Sequence, residues 1–184
     1  MPNLTMKLKR LAQYYKPVGC ILFALFWVYG LITVMAIASL NLMPIEWAAP
    51  FAGYTRFYVS VISFDPRFVA MLIVLNNLLV FSLCIRWTFA PNVPVTGFLI
   101  GCLLKVKGAS TASLMFTLSY LYSQPFAILE LGAYVLAISF SLFKRLHVTT
   151  SRDDFYDDEW HEWTLGVFVV GMIMLVVAGL LEAA

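Results

Sequence analysis

Charge-free stretches divide this chain. Four basic residues, Lys7, Lys9, Arg10 and Lys16, precede a run from Pro17 to Ile45 that carries no charge. That pattern predicts a basic, cytoplasmic N-terminus over residues 1–17 and a first transmembrane helix over 18–43, oriented by the positive-inside rule. A secretory signal is the rival reading, but the apolar run is nearly twice the usual ~7–15 residues. Pro44 to Tyr54, rich in proline and aromatics, predicts a loop or short interfacial helix. Its Trp47, Phe51 and Tyr54, with Phe57 and Tyr58, suit either the headgroup belt or the roof of a cavity.

Asp65-Pro66-Arg67 then sets an N-cap and a first helical turn for a second span over 68–85, closed by Arg86-Trp87. Near its centre stand Asn76 and Asn77. Neighbours differ by about 100° around a helix, so at least one of these amides must bond across the bundle, as interhelical glue or as the lining of a polar interior. A third span, 88–104, begins irregularly at Pro91 and Pro94 and carries Gly97 and Gly101. Their G-x-x-x-G spacing allows close helix approach, within the bundle or in a dimer.

After Lys105 and Lys107 comes a hydroxyl-rich run, 110–122, too short for a full crossing before Pro125. It predicts a short, broken or re-entrant helix. A span over 126–143 follows, ending at Lys144-Arg145. A strongly polar loop over 147–163 holds six of the ten acidic residues, and a last span covers 164–181. The expected fold is thus all-α, a single transmembrane bundle over 18–184 with five spans and one short helix. No internal repeat stands out.

Composition agrees. The 184 residues are 62% hydrophobic and 12% charged, with a mean hydropathy of +0.88, against a soluble average of roughly 45–50% apolar and 25% charged. A multi-pass cell-membrane protein in contact with lipid is expected, with no room for a sizeable soluble domain. The net charge of +2 and the placing of basic residues beside apolar runs exclude nucleic acid as a natural partner. Cys20, Cys84 and Cys102 lie far apart in apolar runs, which reads as packing rather than disulfide or metal chemistry.

The chemically loaded stretch is Ser123-Gln124-Pro125-Phe126-Ala127-Ile128-Leu129-Glu130. It places a helix break and a carboxylate inside about 36 residues otherwise free of charge. A carboxylate at bilayer depth must be paired, protonated or facing water. Glu130 is therefore either a cavity-lining acid or a structural one bonded to Asn76, Asn77 or Gln124. Asp153-Asp154-Phe155-Tyr156-Asp157 has the D-D-x-x-D spelling that holds magnesium against a diphosphate in prenyl-transferring enzymes. No second such motif accompanies it. Together with Asp158 and Glu159 it reads as a solvated linker or a docking surface for a protein partner. There is no H-E-x-x-H, G-x-S-x-G, Walker A or G-x-G-x-x-G motif, so no enzyme, cofactor or metal is expected.

Asp65-Pro66-Arg67-Phe68, the Asn76-Asn77 pair, the Gly97/Gly101 span and Pro125-x-x-x-x-Glu130-Leu131-x-Ala133 together resemble the stage II sporulation protein M family of integral membrane proteins, over roughly residues 20–145. Phe126 and Ala127 stand where that family carries His and Gly. The resemblance implies a scaffold or regulatory subunit of a membrane complex, with protein partners and a possible homo-oligomer. The family's namesake acts with cell-wall hydrolases during engulfment. The alternative is a small transporter or channel component, its path lined by Glu130, Asn76 and Asn77.

Overall fold

The computed structural model describes residues 16–62, 66–88, 90–150 and 157–182. Among these it is all-helical, with seven helices: α1 (Lys16–Leu42), α2 (Ile45–Ile62), α3 (Pro66–Trp87), α4 (Asn92–Val106), α5 (Thr111–Ser123), α6 (Pro125–Thr150) and α7 (Asp157–Glu182). Three stretches are long and apolar enough to cross a membrane: Lys16–Leu42, Pro125–Leu146 and Glu162–Glu182.

Several boundaries differ from those expected. The proline- and aromatic-rich segment is an 18-residue helix, α2, because Pro50 interrupts only one bond near its start. The third span is shorter than expected. Thr88, at φ 57°, turns the chain, and α4 starts only at Asn92, after Pro91 as N-cap. Helix takes in much of the stretch expected as a polar loop, since α6 runs on to Thr150 and α7 begins at Asp157. Asp65, Asp153 and Asp154 lie outside the described residues. Ser110 caps the short helix α5, accepting from the Ser113 amide at 3.3 Å.

α1 and α4 form the closest pair. A Cβ on Gly97 would strike the backbone of Ile32, and one on Gly101 would strike Ala36 and Ser39. Both glycines therefore face α1 inside the bundle, and the common offset of the two contacts makes α1 and α4 parallel. Met43 meets Cys102 and Phe51 stacks edge-on to Phe98 at 4.9 Å, so α2 runs back along α4. Asn41 meets Thr111 and Tyr29 meets Tyr122, so α5 runs back along α1. Tyr134 bonds Asn77, and the Arg145 guanidinium donates to the Arg86 carbonyl at 2.7 Å, so α3 and α6 run in the same direction.

These pairings hold when α1–α2–α3 is exchanged for α4–α5–α6. In helix order and direction the two triplets therefore repeat one another, a pattern that the sequence does not display. Each half is an ascending helix followed by two helices split at a proline, Pro66 in the first and Pro125 in the second. The shared information is backbone punctuation, two prolines and the arginines Arg86 and Arg145 at one end of the bundle, while the packing residues differ in identity. α7 closes the bundle, setting Gly171 against the Phe81 ring and Met174 against Gly132.

α1 widens into a π-helical turn over Phe26–Gly30. Such a turn frees carbonyls from the regular ladder. The Tyr29 carbonyl accepts from the Thr33 hydroxyl at 2.9 Å and the Tyr122 hydroxyl at 3.2 Å, which ties α5 to the irregular turn. Cys20, Cys84 and Cys102 are buried free thiols.

Candidate functional site

The site grows from the break between α5 and α6. Gln124 is extended at ψ 134°, and Pro125 opens α6, where a missing N–H costs little. The Gln124 side chain turns back to α5 and donates to the Tyr120 carbonyl at 3.3 Å. It takes no part in holding Glu130. On the first turns of α6, Glu130 and Tyr134 are four residues apart and so share one face.

Tyr134 is the hub. Its ring is fully buried. Its hydroxyl lies 3.0 Å from Asn77 Oδ1 on α3 and 3.2 Å from Glu130 Oε1, and donates its single proton to these two acceptors. It accepts from Asn92 Nδ2 on α4 at 3.0 Å. Of the asparagine pair, Asn77 is buried, at 3% exposure, while Asn76 is exposed and reaches its neighbour's Oδ1 at 3.4 Å. Glu130 and Asn77, which also interact directly, share a tyrosine that sequence reading missed. The i+4 spacing from Glu130 was the available signal for Tyr134. For Asn92 it was a lone amide beside Pro91.

This network forms part of the wall of a cavity of about 480 Å³. The first half of the repeat contributes Tyr54 from α2 and Asn77 from α3; the second contributes Asn92 and Thr96 from α4 and Glu130 from α6. Glu182, from the last turn of α7, faces the same space. Apolar side chains such as Ile73, Val93 and Leu99 complete the lining, and among the described side chains no lysine or arginine lines it. Asn92 Oδ1 is buried without a hydrogen-bond partner, while the Asn77 amide lies close enough to the Glu130 carboxyl to interact with it directly.

The remaining candidates stand apart. Gly97 and Gly101 serve the α1–α4 contact, although Thr96 and Ile100 beside them line the cavity. Asp157, Asp158 and Glu159 open α7, at the opposite end of that helix from Glu182. Among the described residues no group of three His, Cys, Asp or Glu side chains could hold a metal ion. No family model, curated protein or solved structure matches this chain.

Proposed function

We propose that this chain is a non-enzymatic, five-crossing membrane protein that admits a small solute or ion to the cavity between its two halves, as a small transporter or channel component. In this reading α1, α4 and α7 ascend, and α2–α3 and α5–α6 are two broken descending crossings. The N-terminus is cytoplasmic. One observation carries it: the Glu130–Tyr134–Asn77–Asn92 network lines a cavity of about 480 Å³ into which Glu182 also faces. Repeat-built transporters commonly place their sites where the halves meet, at interrupted helices. An intramembrane carboxylate is itself a functional pointer. Purified protein reconstituted in liposomes should support a solute or ion flux that Glu130→Gln reduces; absence of any Glu130-dependent flux removes the reading.

A scaffold or regulatory subunit is the second reading. The exposed aromatic side chains Trp47, Tyr54 and Phe57 along α2 favour it, as a surface for another membrane protein. So does the resemblance to the stage II sporulation protein M family. Stable co-purification of a membrane partner, lost on replacing Trp47 and Phe57 with alanine, supports that reading; unchanged co-purification counts against it.

A further inference from the structure

The cavity follows α4. Its lining begins at Asn92, the first residue of that helix, and continues to Leu103, one turn short of the end. At 1.5 Å per residue those steps cover about 16 Å, roughly half the apolar thickness of a bilayer. Polar side chains from the other helices face it along the way, among them Thr55 of α2, Asn77 of α3, Glu130 of α6 and Glu182 of α7. A long space lined in this way suits water and what water carries. Among the described residues no group of three His, Cys, Asp or Glu side chains could form a metal shell. A proton needs no shell, because a single carboxyl oxygen holds it.

The hydrogen bonds around Glu130 accommodate a proton without the movement of a heavy atom. Tyr134 has one hydroxyl proton and stands between two acceptors, Glu130 Oε1 at 3.2 Å and Asn77 Oδ1 at 3.0 Å. With Glu130 ionised, the hydroxyl serves the carboxylate, and Asn77 Oδ1 keeps only the 3.4 Å contact from Asn76. With Glu130 protonated, the new O–H donates to Tyr134 Oη and the tyrosine proton turns to Asn77 Oδ1, so both short contacts are used. The Asn92 amide donates to Tyr134 in either state, since a hydroxyl oxygen has two lone pairs. The proton arrives from cavity water, neutralises the carboxylate and leaves by the same O–H bond. Rotation of one hydroxyl absorbs the change.

Few titratable groups surround this acid among the described side chains. α7 presents Glu182, near enough to act on Glu130 electrostatically, and α2 presents Tyr54. Tyr134 lies on α6 itself, with Cys84 of α3 close to it. The described side chains of α1, α4 and α5 bring no acid or base to the space. Two acids facing one space oppose each other's ionisation, and intramembrane carboxylates of this kind serve as proton relays. We infer that the ion this cavity admits is the proton, taken up by Glu130 against Tyr134, with Glu182 as the second carboxyl of its path. This rests on the reading of the chain as admitting a solute or ion, and names the ion.

Full-length protein in phosphatidylcholine liposomes loaded with the pH dye pyranine, with potassium and valinomycin present to balance charge, should collapse an imposed pH gradient faster than protein-free liposomes. Glu130→Gln should slow this collapse several-fold, and Glu182→Gln should slow it as well. Infrared difference spectra between acid and alkaline buffer should show a carboxylic C=O band present only in acid and missing from Glu130→Gln. If Glu130→Gln is not monodisperse, Glu130→Asp serves instead: the shorter acid loses Tyr134, so the band should move in frequency. Proton flux unchanged in every folded variant of the two acids overturns the inference. So does a band that is absent, indifferent to pH or unmoved in Glu130→Asp. A Glu130-dependent flux of another ion or solute, with no titrating Glu130 band, would remove this inference and leave the solute-handling reading standing. Absence of any Glu130-dependent flux would remove both.

Discussion

Tyr134 Oη on α6 stands 3.0 Å from Asn77 Oδ1 on α3, and this contact connects the two parallel helices that end each half of the repeat. The same hydroxyl receives Asn92 Nδ2 from α4. Tyr134→Phe keeps the ring and removes every one of these bonds, leaving Asn92 Nδ2 without its acceptor and Asn77 Oδ1 with only the long contact from Asn76. Such orphaned groups cost about 1–3 kcal/mol each. The variant should therefore melt several degrees lower in detergent. A melting temperature equal to the parent's would show that water already satisfies those amides.

Close approach of α1 and α4 depends on two missing side chains. A Cβ at Gly97 meets the Ile32 backbone, which cannot move aside as a side-chain tip can. Gly97→Ala should destabilise by about 1–3 kcal/mol, the usual range for overpacking, and Gly97→Val by more. Gly53 on α2 is the internal comparison, since nothing lies within 4 Å of its would-be Cβ. Gly53→Ala should be neutral or stabilise by up to about 1 kcal/mol through helix propensity. Paired melting curves decide: equal effects at the two glycines would refute the close-packing role of Gly97.

Helical character and the break at Pro125 were legible because charge-free runs and prolines act locally. Partner identity was legible only in part. Glu130 pointed to Asn77, which the structure sets beside it, but not to Tyr134, whose apolar ring hides a hydroxyl in any hydropathy pattern. Gly97 and Gly101 carried a motif that names close contact but not the contacting helix. The repeat escaped notice because its halves preserve helix order and direction rather than residue identity: Asn77 on α3 has no amide counterpart on α6. α2 was obscured by Pro50, whose penalty is small so near a helix start.

Gly171 and Phe81 form a second size-matched contact, with the ring of Phe81 filling the space a Cβ on Gly171 would need. Phe81 is fully buried and also meets Phe168, their ring centroids 6.1 Å apart. Gly171→Ala should destabilise, and Phe81→Leu should destabilise alone by leaving space. The double variant should lose less than the sum, with a coupling of about 0.5–3 kcal/mol. Additive losses would mean that the ring is free to step aside.

The crossing number separates two arrangements with different faces. Contacts of Met43 with Cys102 and Asn41 with Thr111 bring the α1–α2 and α4–α5 turns to one end of the bundle, while Arg86 and Arg145 meet at the other. In the proposed five-crossing arrangement the positive-inside rule would set the arginine end in the cytoplasm. In a background with Cys20, Cys84 and Cys102 changed to serine or alanine, Lys107→Cys should react with a membrane-impermeant maleimide on intact cells. Ser151→Cys, between α6 and α7, should react only after permeabilisation. Labelling of Ser151→Cys on intact cells would mean that α5 crosses on its own as a sixth span. That outcome would separate α5 from α6 at Pro125 and remove the broken-crossing geometry that brings Glu130 to the cavity.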